Sequence, residues 1–131
     1  MPMNMIFQSS ITAPEGAIYL SDFMTEIPAN CLFNKKHTGC GATELAIRND
    51  IPTIIAMPYV ALVKNKTIYR TDDIEVLGVY GGVTDDDIIN YAKSHDRLKI
   101  AVTYDSLPRT IEALKYAGVN PYRDLFLLVD E

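Results

Sequence analysis

Apolar runs bounded by turn residues recur along the chain, and each is about as long as a β-strand. Apolar residues fill successive positions of these runs, whereas a strand with one exposed face would alternate apolar with polar residues. β-Branched residues are frequent in the runs, which also favours strands. The pattern predicts strands at residues 29–36 (ANCLFNKK), 52–57 (PTIIAM), 73–80 (DIEVLGVY), 98–104 (LKIAVTY) and 124–129 (DLFLLV).

Helical patterns fill the intervals between these runs. Thr84 is a typical N-cap residue, and Asp87 stands where it would complete a capping box. Pro108 suits the first turn of a helix, and Gly118 suits the position just past its end. Helices are predicted at residues 42–50, 58–69 (after a short loop), 84–97 and 106–118.

Alternating strands and helices predict an α/β fold, a three-layer parallel sheet with helices on both faces, over residues 30–131. Residues 1–29 are predicted to be a lead-in with a short helix, which Ser21 or Asp22 caps and Pro28 ends. Ligands of such sheets bind beyond the carboxyl ends of the strands. The residues expected there are the glycine loop before Thr43, Pro58, Tyr59, Gly81, Gly82, Thr103, Tyr104, Asp105, Asp130 and Glu131.

Composition narrows the function classes. The chain has 131 residues, enough for one domain, with 48% hydrophobic and 22% charged residues, as in ordinary globular proteins. Its net charge of −5 argues against a dedicated nucleic-acid-binding module, which would be basic. No apolar run approaches the roughly 20 residues that cross a bilayer, so no membrane partner is expected. Cys31 and Cys40 are too few for a disulfide framework, which favours a reducing cytoplasm.

The loop NKKHTGCGATE, residues 34–44, nearly matches the phosphate-binding pattern G-x-x-x-x-G-K-[ST]. Ala42 stands where the lysine belongs, and Lys36 where the first glycine belongs. Glycines allow close approach of backbone amides to a phosphate, and Thr43 offers a hydroxyl to magnesium. The alternative is a glycine turn that serves packing alone. The predicted nucleotide-binding residues are Lys36, His37, Thr38, Gly39, Cys40, Gly41, Ala42 and Thr43.

A displaced lysine is the central hypothesis for this loop. An ammonium on a flexible stem acts as a point charge, so its origin in the chain can move. Lys36 is favoured over Lys35 for this role, and the alternative is that both point to solvent. Tyr19 and Phe23 precede the loop, and packing is the simpler interpretation for both of them than an adenine contact.

The last apolar run ends in two acidic residues, LLVDE. Asp130 is predicted to hold magnesium, directly or through water, and Glu131 to polarise the attacking water. The alternative is a pair of solvated acids. The glycine loop and the acids, separated by alternating helices and strands, together favour a nucleotide site over either motif alone.

These motifs resemble those of the first RecA-like lobe of superfamily-two helicases and translocases of the DEAD/DEAH-box kind. TGCGAT (residues 38–43) resembles motif I, TGSGKT, except at Cys40 and Ala42, and LLVDE (127–131) resembles motif II, the Walker B element. Between them, MPYVAL (57–62) resembles motif Ia, and YGG (80–82) and VTYDSL (102–107) resemble further elements near the nucleic-acid track. The motifs occur in family order over about residues 30 to 131.

The resemblance implies a P-loop NTPase lobe, truncated after the Walker B strand, that uses ATP and magnesium. It implies catalytic roles for Glu131 and Lys36, magnesium binding by Thr43 and Asp130, and an ATP-dependent helicase that acts on nucleic acid. A C-terminal RecA-like lobe is the expected partner, whose arginine is worth about 10³–10⁵ in rate in comparable enzymes, so these residues alone should be nearly inert. The alternatives are a degenerate scaffold and an unrelated α/β domain for another phosphorylated ligand. The implied nucleic-acid contacts are Pro58, Tyr59, Gly81, Gly82, Thr103 and Tyr104.

Overall fold

A computed structural model of the chain describes residues 11–27, 41–68 and 74–129. Its four strands are all parallel, and their order in the sheet is β2-β3-β1-β4. The strands are β1 (Thr53–Met57), β2 (Leu77–Val79), β3 (Lys99–Thr103) and β4 (Phe126–Val129). The helices are α1 (Ala42–Arg48), α2 (Val60–Ile68), α3 (Asp85–Ser94), α4 (Leu107–Tyr116) and α5 (Pro121–Asp124), and 3-10 turns span Leu20–Asp22 and Tyr104–Ser106.

The sheet has a separate apolar core on each face, because successive side chains of β1 point to opposite sides. Ile55 and Met57 belong to one core, which also contains residues of α1 and α2. Ile54 and Ala56 belong to the other, which contains residues of α3 and α4. All five side chains of β1 are buried, as are all five of β3. The predicted α/β sheet with helices on both faces is therefore confirmed.

Most of the predicted boundaries hold within one or two residues, and the capping signals act as expected. Thr84 accepts a hydrogen bond from the Asp87 amide at 3.2 Å, while the Asp87 carboxylate accepts one from the Thr84 amide at 3.0 Å. The bond from the Thr84 amide to the carboxylate lowers the pKa of Asp87. Gly118 ends α4 with a φ of 91°, a left-handed conformation that favours glycine.

Two local predictions need correction, and one short helix was not predicted. The helix expected within residues 21–28 is only a 3-10 turn. The Asp22 carboxylate at its end accepts hydrogen bonds from the amides of Ile18 and Tyr19, which precede the turn, both at 2.8 Å. β2 is shorter than its apolar run, because only Leu77–Val79 pair with β3. The four-residue helix α5, whose Tyr122 amide donates a hydrogen bond to the Asn120 Oδ1 at 3.2 Å, was not predicted. The strand expected at 29–36 lies outside the described residues.

β4 lies at one end of the strand order, and its two faces differ. Phe126 and Leu128 pack against the core that contains α1 and α2. Leu127 and Val129, on the opposite face, are 50% and 56% exposed. Within the described stretches, no helix has the length and apolar character needed to cross a membrane.

Candidate functional site

The carboxyl ends of the four strands form one edge of the sheet, because all strands run in the same direction. Met57 at the end of β1 pairs with Thr103 at the end of β3, and Ala56 pairs with Val129 at the end of β4. On the far side of β3, Val79 pairs with Val102. The four strands therefore end at nearly the same height, which places the loops after β1, β2 and β3 beside one another.

Two tyrosines are exposed on the neighbouring loops after β1 and β3. Tyr59 is 68% exposed and Tyr104 is 40% exposed. Pro58 is half-buried, and Thr103, the last residue of β3, is only 3% exposed. Of the four candidate contact residues on these two loops, the tyrosines therefore offer the largest accessible side chains.

The loop after β2 begins with a tight turn from Tyr80 to Val83. The Val83 amide donates a hydrogen bond to the Tyr80 carbonyl at 3.1 Å, and Gly82 has a φ of 96°. A positive φ at the third residue of such a turn requires glycine or asparagine. A Cβ atom at Gly81 or Gly82 would have no heavy atom within 4 Å apart from those of the glycine and its two chain neighbours, so the two glycines leave open space in front of the turn.

Gly82→Ala should lower the free energy of unfolding by about 1 kcal/mol, because a left-handed conformation disfavours a residue with a Cβ atom. Gly81→Ala is the matched control, since the neighbouring site has equal space and no positive φ. Chemical denaturation of both variants measures the two effects. Equal losses in the two variants would show that backbone strain at Gly82 is not the cause.

The end of α1 lies at the amino edge of the sheet, because Lys99, at the amino end of β3, binds the Ala46 carbonyl in the last turn of this helix. The start of α1 is one helix length, about 10 Å, from that end. Gly41 precedes the helix with a φ of 88°, and its carbonyl accepts a bond from the Leu45 amide at 2.9 Å. Ala42 is buried and Thr43 is half-buried.

Tyr19 lies directly against this helix start. A Cβ atom built on Gly41 would stand 3.7 Å from the Cβ and 3.8 Å from the Cδ1 of Tyr19. Tyr19 is nevertheless 53% exposed, whereas Phe23 packs against the core as expected. The sequence signal for Tyr19 was only its position ahead of the loop, and the exposed ring was not expected.

The rest of the predicted nucleotide site falls outside the described residues. This applies to Lys36, His37, Thr38, Gly39 and Cys40 of the loop and to Asp130 and Glu131. Two described points flank them in the chain: Gly41 follows the loop directly, and Val129 precedes the acids directly. Among residues 11–27, 41–68 and 74–129, no group of three or more His, Cys, Asp or Glu side chains is arranged to hold a metal ion.

A buried polar cluster at the opposite, amino edge of the sheet was not predicted. The Lys99 side chain is fully buried, and its Nζ donates to the Ala46 carbonyl at 2.6 Å, the Asn49 Oδ1 at 2.9 Å and the Ile51 carbonyl at 2.5 Å. Burial lowers the pKa of Lys99 to about 8, with a smaller contribution from Arg97. Lys99 therefore ties the end of α1 to the sheet.

Tyr91 completes this cluster from the other face of the sheet. Its hydroxyl accepts a bond from the Lys99 amide at 3.0 Å and lies 2.6 Å from the Glu75 carbonyl, to which it donates. Burial raises the pKa of Tyr91 to about 12. Among the described residues, no buried side-chain nitrogen or oxygen lacks a hydrogen-bond partner, and the candidate loops lie at the other edge, so the cluster is structural.

Two cationic side chains, Lys64 and Arg109, contact Tyr80 in the turn after β2. Lys64 of α2 lies 5.1 Å from the ring centre of Tyr80, a cation–π contact. Arg109 of α4 donates from Nη2 to the Tyr80 carbonyl at 2.8 Å and from Nη1 to the Asp85 Oδ1 at 3.3 Å. The edge thus combines exposed aromatic rings, an open glycine turn and cations that contact protein groups.

Comparisons of the chain with known protein families, curated proteins and solved structures gave no match.

Proposed function

We propose that the chain is the ATP-binding, P-loop NTPase lobe of an ATP-dependent nucleic-acid helicase or translocase. The observation that carries the proposal is the shared edge of the sheet. Gly41, which has a left-handed conformation, directly follows the predicted phosphate-binding loop in the chain. The exposed end of β4 directly precedes the two predicted acids, Asp130 and Glu131. The loops after β1, β2 and β3 open on the same edge.

The nucleotide half of the proposal combines backbone amides with a displaced cation. Amides of the glycine loop would donate to the phosphates, as in phosphate-binding loops that lead into a helix N-terminus. Ala42 leaves the usual lysine position without charge, and Lys36 would supply the cation from the start of the loop. Thr43 and Asp130 would hold magnesium, and Glu131 would orient the attacking water.

The nucleic-acid half rests on the exposed rings of Tyr59 and Tyr104 and on the open glycine turn. Bases stack on aromatic side chains without sequence preference, and a turn without side chains admits a sugar–phosphate backbone closely. Because the net charge is −5, contact by this lobe alone should be weak. A second RecA-like lobe would supply further contacts and the arginine that stabilises the transition state.

Lys36→Ala should weaken ATP binding by about tenfold or more, since it would remove a charge-assisted contact to phosphate. Lys35→Ala is the matched control, because the adjacent lysine has the same charge and stem and is expected to leave affinity unchanged. Isothermal titration calorimetry of the wild type and both variants, with ATP and magnesium, measures the three affinities.

Each result of this titration bears on the proposal. ATP binding by the wild type that is lost in Lys36→Ala alone supports it. Equal affinities in the two variants would show that Lys36 does not replace the missing lysine. If the wild type binds no ATP, or prefers a phosphorylated ligand without a nucleoside, the proposed function is wrong.

A further inference from the structure

The turn after β2 is held from both faces of the sheet through Tyr80. On one face, the ring of Tyr80 lies under the ammonium of Lys64 in α2, 5.1 Å from ring centre to Nζ. On the other face, the carbonyl of the same residue accepts a bond from Arg109 in the first turn of α4 at 2.8 Å. The Val83 amide donates to this carbonyl as well, so one oxygen joins the turn to the helix.

The first turn of α4 also holds the loop after β3. The Thr110 hydroxyl donates to the Ser106 carbonyl at 2.8 Å, and both residues are buried. Ser106 ends the 3-10 turn that begins with Tyr104. Arg109 and Thr110 are adjacent in the chain, so one helical turn is bonded to two of the three candidate contact loops.

We infer that Arg109 is a positioning residue, which joins the glycine turn at Gly81–Gly82 to the loop that bears Tyr104 and makes them one rigid unit. The functional role of this coupling rests on the proposed function, since the two loops are the proposed nucleic-acid contacts. The coupling itself is a property of the free protein, and it is measured without a ligand.

The contact to the Tyr80 carbonyl carries the coupling, and the ion pair to Asp85 does not. Asp85 is 65% exposed and its closest contact to Arg109 is 3.3 Å, and such exposed pairs contribute little. The bond to the carbonyl is shorter, partly buried and made by a charged donor. A guanidinium presents several N–H groups in a fixed plane, whereas lysine presents a single point charge.

Hydrogen–deuterium exchange of the full chain tests this inference. In Arg109→Met, the Val83 amide should exchange about tenfold faster, because loss of the charged donor makes opening of the turn easier. The buried amides of β3, such as Val102, should keep their rates. Arg109→Lys should give an intermediate rate at Val83. Asp85→Asn, which removes the negative charge of the ion pair, should stay within about twofold of the wild type.

Two results would overturn the inference: an unchanged rate at Val83 in Arg109→Met, or an equal increase at Val83 and Val102, which would indicate general destabilisation. Fluorescence anisotropy with a short single-stranded oligonucleotide tests its purpose separately. Arg109→Met should weaken this binding severalfold and leave ATP affinity unchanged. A wild type that binds no oligonucleotide would contradict the proposed function, while the exchange rates would still decide the coupling.

Discussion

Replacing Lys99 with methionine should lower the free energy of unfolding by about 2–3 kcal/mol. The Lys99 ammonium satisfies two backbone carbonyls and the Asn49 amide oxygen at the end of α1, and the whole side chain is buried. Methionine keeps an unbranched stem but donates no hydrogen bond. A buried acceptor without a partner costs about 1–3 kcal/mol, and the Ala46 carbonyl would lose its bond to Lys99. The Asn49 Oδ1 and the Ile51 carbonyl would lose a charged donor but keep their bonds from the Ile51 amide and the Thr53 hydroxyl. Relief from the cost of burying a charge offsets part of this loss.

Urea denaturation at pH 7 measures the effect, and Lys93→Met is the matched control. Lys93 is exposed on α3, so its replacement changes charge and composition equally without disturbing a buried bond. A loss of stability in Lys99→Met no larger than in Lys93→Met would show that the bonds of Lys99 contribute nothing net.

The same pair of proteins checks the low pKa of Lys99. An unfolded lysine keeps its proton to about pH 10.5, whereas Lys99 in the fold keeps it only to about pH 8. Between these values the unfolded state binds more protons, so the stability of the wild type should rise with pH relative to Lys99→Met. A difference between the two proteins that stays constant from pH 7.5 to pH 10 would contradict the lowered pKa.

Gly78→Ala should cost about 2 kcal/mol, because α2 crosses β2 too closely at this point for a side chain. A Cβ atom on Gly78 would stand 2.7 Å from the Cγ2 of Thr67 and 3.3 Å from the Cγ1 of Val63. Thr67 is β-branched, and its hydroxyl already donates to the Lys64 carbonyl at 2.7 Å, so its methyl group cannot turn away freely. Overpacking of this kind typically costs 1–3 kcal/mol.

A double-mutant cycle with Thr67→Ser isolates this contact. Serine keeps the hydroxyl and lacks the methyl group that the new Cβ atom would strike. In the Thr67→Ser background, Gly78→Ala should therefore cost less than half as much as in the wild type, as measured by chemical denaturation. The same cost in both backgrounds would mean that the 2.7 Å approach is not the source of the strain.

The site illustrates how unevenly sequence predicts structure. Positions whose role is set by their own backbone were foreseeable: Thr84 as a cap, and Gly118 at a positive φ. Tyr59 and Tyr104 were expected at the carboxyl edge, since the carboxyl ends of parallel strands share an edge. Tyr104 was predicted as the last residue of its strand, whereas it begins the 3-10 turn that follows β3. Their exposure, and that of Tyr19 beside Gly41, depends on which neighbours pack around each ring. The apolar pattern does not contain that information.

The sequence by itself determined the alternation of buried strands and amphipathic helices and most of their ends, because periodicity, caps and glycine conformations act over a few residues. Only the tertiary structure decided the strand order β2-β3-β1-β4, the burial of Lys99 and the bond from Arg109 to Tyr80. Lys99 stands 53 positions from Ala46, whose carbonyl it binds. Contacts over such separations arise when whole elements pack together, and no local pattern records them.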